Sequence, residues 1–175
     1  MLRVARKVGV NTKNIVAGVK NLALRSASEL LKPQYLWFEI TDECNGRCKF
    51  CNIWKKEPTS NILTAKEIEK VFGDNLFNGL RFIVISGGEP TFRDDFEEII
   101  LRIHNVLPKA SILFGTNCSL PEHAVRVVKS ALKHNIDIGV GVSLDGVGER
   151  HDRVRGGVLT VFLKRRIGYY VNYWH

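Results

Sequence analysis

The stretch YLWFEITDECNGRCKFC, Tyr35 to Cys51, passes from a short run of aromatic and β-branched residues into a loop carrying three cysteines. Tyr35 to Thr41 has the composition of a buried strand. Cys44, Cys48 and Cys51 follow at spacings that suit a set of metal-ligating thiols, yet a closed zinc site takes four thiolate or imidazole donors, usually from two Cys-x-x-Cys-like pairs. Only one such pair is present, and Cys118 and His123 lie about 70 residues further on.

Outward from this loop, apolar runs and helical patterns alternate. TAKEIEKVF reads as a helix capped at Thr64, with Glu67 completing a capping box. RFIVIS is a second buried strand and ends in GGEP. DDFEEIILRIHNVL repeats the cap signature with Asp94 and Glu97, and Ile99, Ile100 and Ile103 form its buried face. SILFGTN, PEHAVRVVKSALKHN and DIGVGVSLDG continue as strand, helix and strand. This order predicts an α/β fold with a parallel sheet, either barrel-like or doubly wound. In both, the chemistry sits at the carboxyl ends of the strands, where CNGRCKFC, GGEP, TNCS and SLDG all fall.

A cubane iron–sulfur cluster normally takes one cysteine per iron, so three thiolates leave one iron open. On Cys44, Cys48 and Cys51 the sequence resembles the radical S-adenosylmethionine superfamily, with its Cys-x3-Cys-x2-Cys signature after the first strand of a partial (β/α)6 barrel. Phe50 fits the aromatic often found before the third cysteine. The resemblance implies a [4Fe–4S] cluster whose open iron binds the amino nitrogen and carboxylate of S-adenosylmethionine. Reductive cleavage then gives a 5′-deoxyadenosyl radical that abstracts hydrogen from a second molecule. It also implies an external electron donor such as flavodoxin or ferredoxin, while three clustered thiols and one distant thiol, unlike a secreted disulfide framework, point to a reducing cytoplasm.

Two further segments extend the resemblance. Gly87 and Gly88 of SGGEP read as letting a ligand approach the backbone, and Glu89 as a carboxylate for an ammonium group. In its place after the cysteine loop the segment resembles the family's GGE element, which contacts the methionine amino group; alone, it is a strand-to-helix turn. SLDG with HDRVR resembles the fourth-strand segment of the subgroup that includes peptide-modifying and molybdenum-cofactor-related enzymes. This implies that Ser143 and Arg155 hold the methionine carboxylate. Asp145 also reads as a turn former and His151 as a surface or capping histidine. TNCS departs from the related TNG, and Cys118 reads as a small buried filler. Trp54 and its neighbouring lysines read as a cover over the loop.

The resemblance spans Tyr35 to Arg155, about four of the usual six β/α units. The expected organisation is a basic helical leader over 1–33, a partial barrel core over 34–156 and an aromatic, basic tail over 157–175. That tail reads as a fragment end, a truncation or a shift of frame after Gly156. The formal charge of +8 is concentrated at the ends, with seven Lys/Arg and one acid in residues 1–32 and three bases and no acid in 156–175. The leader suits docking on the barrel or on a membrane surface, and no stretch is apolar enough to span a bilayer. Two other readings stay open. One is a catalytically incompetent iron–sulfur or zinc module, and the other is a nucleic-acid binder using its basic ends.

Overall fold

The computed structural model describes residues 32–57, 59, 61–146 and 149–156. The expected leader, through residue 31, and the tail from residue 157 lie outside the described residues. Strands β1 (Tyr35–Glu39), β2 (Phe82–Ser86), β3 (Ser111–Thr116) and β4 (Ile138–Val142) form a parallel sheet in the order β1-β2-β3-β4. A doubly wound sheet reverses its strand order at a switch point. Here neighbours in sequence are neighbours in the sheet, so the barrel-like alternative is the one observed. Helices α1 (Ala65–Phe72), α2 (Phe96–Val106) and α3 (Pro121–Lys133) follow the first three strands, and a shorter α4 (Glu149–Arg155) follows β4.

Parallel strands are joined by crossovers that lay helices on the sheet, and the apolar stripe of each helix must match one set of alternate strand residues. Ile83, Ile85, Ile112 and Phe114 meet Ile68, Phe72, Phe96, Ile99, Ile100, Ile103 and Val127, all buried. Edge-to-face ring pairs join strand to helix, with centroids 5.1 Å apart for Phe96 and Phe114 and 5.2 Å for Phe38 and Phe72. Such pairs add about 0.5–1.5 kcal/mol beyond the area they bury.

The expectation that β1 is buried holds for one face only. Leu36 and Phe38 pack on the core, whereas Tyr35 and Trp37 on the opposite face are 65% and 67% exposed. Strand composition reports apolarity but not which face a helix covers. On β4 the uncovered side is the other one, where Val140 and Val142 are exposed.

The helix starts show which signals are local. Thr64 and Glu67 make the expected capping box. In α2 the expected cap at Asp94 does not form; the N-cap is Asp95, and its carboxylate is drawn away from the helix by Arg93, with bonds of 2.8 and 2.7 Å. These bonds hold the Asp95 carboxyl below the usual range despite its partial burial. Arg93 also donates to Ile40 O at 2.7 Å and Leu63 O at 2.9 Å. One nearly buried guanidinium thus joins the end of β1, the approach to α1 and the start of α2. α3 starts with Pro121 in its first turn, where a missing N–H goes unnoticed. It ends before Asn135, which takes a left-handed φ of 56°. Among the described residues, no helix is long and apolar enough to cross a membrane.

Candidate iron–sulfur and cofactor site

The residues between β1 and Cys44 are fastened to the turn after β2. Gly88 N donates to Thr41 O at 2.7 Å and Glu89 N to Glu43 O at 2.8 Å. Thr41 Oγ1 accepts from Glu43 N at 3.1 Å, curling the chain between the two bonds. A Cβ on Gly87, whose φ is +126°, would lie 2.1 Å from Thr41 O, and one on Gly88 would lie 2.0 Å from Glu43 O. Both glycines are required by the chain's own backbone, which approaches each of them too closely for a Cβ.

Four free thiols are present at Cys44, Cys48, Cys51 and Cys118. Cys48 is buried and the other three are half-buried. Gly46 N donates to Cys44 Sγ at 3.3 Å, and Asn117 Nδ2 lies 4.0 Å from the same sulfur. A Cβ on Gly46 would fall 3.5 Å from Cys44 Sγ and 3.6 Å from Cys48 Sγ. A side chain at this position would thus lie in contact with both sulfurs. Burial is the main cause that pushes the Cys44 thiol up; Glu89, Cys48 and Cys51 add to it and the Gly46 N–H opposes it. Binding a metal group there must displace that proton.

Among the described residues, no three Cys, His, Asp or Glu side chains converge on a single metal ion. A cubane makes no such demand, because each thiolate binds its own iron. The sulfur donors, the N–H groups beside them and the lack of a side chain at Gly46, next to two of the sulfurs, fit such a cluster. Cys118 has a left-handed φ of 61°, a conformation that suits the glycine of the related TNG better than it suits cysteine. Its thiol is pushed up by burial first and then by Glu89 and Glu122.

Glu89 is 1% exposed. Its Oε1 accepts from Thr91 Oγ1 and Thr116 Oγ1, both at 2.6 Å, and from Thr91 N at 3.3 Å. Its Oε2 accepts from Asn117 N at 2.6 Å. The carboxylate braces the end of β2 to the end of β3. Asn117, which the sequence reading left without a role, then reaches Asn45 Oδ1 at 2.9 Å, so the brace continues into the cysteine loop. Its signal was a polar residue at the carboxyl end of a parallel strand.

The fourth corner comes from β4 and α4. Ser143 N donates to Thr116 O at 3.0 Å and places Ser143 at the strand end. His151 is fully buried, not on the surface; its Nδ1 accepts from Asp145 N at 3.2 Å and shapes the turn before α4. Asp145 pairs with Arg155 Nε, and Arg155 Nη1 lies 3.8 Å from Cys48 Sγ. Phe50, 63% exposed, lies under the same guanidinium, 5.2 Å from its carbon. Trp54 Nε1 donates to Cys48 O at 3.2 Å, with the Arg47 and Lys55 cations 5.9 and 5.3 Å from its ring. All nine residues singled out by sequence thus lie at the carboxyl ends of the strands or on the loops and helix that leave them.

Known proteins resemble this chain in sequence and in fold. The chain is 35% identical over 109 residues to GTP 3′,8-cyclase of Aquifex aeolicus, covering 60% of this chain and 34% of that protein. It is 34% identical over 140 residues to GTP 3′,8-cyclase of Clostridium botulinum, covering 76% of this chain and 42% of that one. The chain therefore spans about a third to two fifths of the length of these relatives. The fold is that of Streptococcus suis SuiB bound to S-adenosylmethionine, with a TM-score of 0.61 at 23% identity over 83% of this chain and 33% of SuiB. SuiB bound to its precursor peptide SuiA gives a TM-score of 0.65 at 21% identity over 96% of this chain and 37% of SuiB. The family model for the radical SAM superfamily matches residues 38–167, most of the chain, and the chain belongs to that superfamily.

Proposed function

We propose that this chain carries the [4Fe–4S] and S-adenosylmethionine site of a radical SAM enzyme, with Cys44, Cys48 and Cys51 as the cluster ligands. The observation that carries this reading is the loop itself: three free thiols follow β1, and Gly46 places no side chain beside two of the sulfurs. When bound, the cluster supplies the electron that breaks the sulfonium bond of S-adenosylmethionine. The chain's own residues hold and shape the site. Gly46 N and Asn117 Nδ2 direct donors at Cys44, which stabilises a thiolate.

For the cofactor, the turn of Gly87, Gly88 and Glu89 faces the methionine amino group, Ser143 and Arg155 its carboxylate, and Phe50 lines the approach. Glu89 Oε2 accepts only from Asn117 N, which leaves that oxygen an acceptor position. Arg47, Lys49, Lys55 and Lys56 are exposed around the loop, a positive surface suited to an anionic electron carrier such as flavodoxin or ferredoxin. Four unpaired thiols suit the reducing cytoplasm. The named relatives are GTP 3′,8-cyclases, and SuiB is bound to a peptide, so the reading stops at the hydrogen abstraction common to the superfamily.

Anaerobic reconstitution tests the assignment through iron, sulfide and visible absorption. Cys44→Ala, Cys48→Ala and Cys51→Ala should each lose the cluster, and Cys118→Ala should keep it. Loss of the cluster in Cys118→Ala as complete as in Cys48→Ala would overturn the three-ligand site. A reduced, loaded chain that leaves S-adenosylmethionine intact would overturn the assigned chemistry.

A further inference from the structure

The carboxyl end of α4 lies against the cysteine loop through contacts of three kinds. A helix leaves its last carbonyls without intrahelical donors. Here the loop supplies two of them, Lys49 N to Val154 O at 2.9 Å and Arg47 N to Arg155 O at 3.3 Å. Gly156 then turns away with a φ of +83°, and a Cβ on it would lie 2.7 Å from Arg47 O and 2.8 Å from Arg47 Cβ. Finally, the Arg155 guanidinium, 13% exposed, is shared between the Asp145 carboxylate, Cys48 Sγ and the face of Phe50.

We propose that Arg155 and Gly156 are positioning residues for the cluster loop: together they latch α4 onto residues 47–50 and set a cation against the Cys48 sulfur. This rests on the reading of Cys48 as a cluster ligand, and it is distinct from any contact of Arg155 with the cofactor carboxylate. The physical basis is twofold. Cys48 lies between two residues whose backbone N–H groups are tied to α4, so its sulfur is located by a helix end and not by the loop alone. A guanidinium N–H near a ligating sulfur also favours the more negative, reduced cluster, because charge and hydrogen bonds at the sulfurs set the potential. Asp145 holds the guanidinium in place, so the cation stays at Cys48 and does not swing into solvent.

Two sets of measurements test the latch, both without S-adenosylmethionine, so that cofactor contacts contribute nothing. The first uses the reconstituted full chain and its Arg155→Gln, Arg155→Lys and Gly156→Ala variants. A redox titration followed by electron paramagnetic resonance should move Arg155→Gln to a more negative midpoint by about 59 mV, a tenfold change for a one-electron couple. Arg155→Lys keeps the charge and should stay nearer the parent. Iron loss to a chelator should be about tenfold faster in Arg155→Gln and Gly156→Ala. The second uses the chain before any cluster is added. Trypsin cleavage after Arg47 and Lys49 should be several-fold faster in Arg155→Gln and Gly156→Ala, while far-UV circular dichroism stays at the parent value.

Midpoint, iron-loss rate and cleavage rate all equal to the parent's in both variants would overturn the proposal. If the parent chain takes up no cluster, the functional reading fails, and the trypsin rates still decide whether α4 latches the loop.

Discussion

Towards β2 the cysteine loop is held by main chain against main chain, whereas towards α4 a guanidinium shares the hold with two backbone bonds. On the first side the atoms meet so closely that a Cβ on Gly88 would fall 2.0 Å from Glu43 O. On the second, Arg155 reaches Cys48 through a long side chain whose other partner is Asp145. The difference separates two kinds of constraint. Backbone against backbone allows no graded substitution, because neither partner has a rotamer to yield. A side chain can be shortened or neutralised by degrees, so the α4 side, although Gly156 also packs against the Arg47 backbone there, has an adjustable part that the β2 side lacks.

The largest effect should therefore come from Gly88→Ala. An added methyl would overlap a peptide that is already bonded to the same turn, and the strand end would have to separate from Thr41 to Glu43. A loss above about 4 kcal/mol is expected, in the range reserved for backbone strain and core disruption. Urea unfolding checks it. A Gly88→Ala midpoint equal to the parent's would break the comparison, since the rigid side would then be as forgiving as the side-chain one.

Glu89→Ala should rank second. It leaves Thr91 Oγ1, Thr116 Oγ1 and Asn117 N without their acceptor in a buried setting. The expected loss is roughly 3 kcal/mol, given the penalty for buried donors left unpaired. Weaker S-adenosylmethionine binding by the reconstituted variant is expected as well. The two effects are told apart by Glu89→Gln, which keeps an acceptor for part of the brace but removes the charge. If Glu89→Gln is as unstable as Glu89→Ala, the negative charge itself holds the brace together. If Glu89→Ala unfolds with the parent, Glu89 is no brace and its burial has another cause.

What could be read from the sequence was what is local or periodic. Thr64 and Glu67 sit three residues apart, and the box between them forms. Ile99, Ile100 and Ile103 mark a face by spacing alone, and all three are buried. Asp94 carried the same signature, but the helix starts one residue later at Asp95, whose carboxylate is bonded to Arg93 and does not cap. The glycines of GGEP were legible as glycines, but not the identity of the atoms pressing on them, since Thr41 and Glu43 approach only after β1 and β2 pair. The latch was the least legible feature. Arg155 and Cys48 are 107 residues apart, and nothing in HDRVRG states that its carbonyls will meet the N–H groups of Arg47 and Lys49. The strand faces were ambiguous for the same reason. Tyr35 and Trp37 carry large apolar rings like those of the core, yet they are left uncovered.

The smallest effect serves as the control for both sides of the loop. Thr64 accepts from Glu67 N at 3.3 Å, and Glu67 accepts from Thr64 N at 2.8 Å, at the exposed start of α1. Thr64→Ala removes the cap and should lower stability by roughly 1 kcal/mol, the usual worth of such a cap. It touches neither the Gly88 contact nor the Arg155 guanidinium, so iron retention and cluster potential should match the parent. That pairing sharpens the comparison, because a modest loss of global stability is then shown to leave the loop alone. Should Thr64→Ala release iron as fast as Arg155→Gln, loop integrity would follow overall stability, and the division between a rigid hold and an adjustable one would fail.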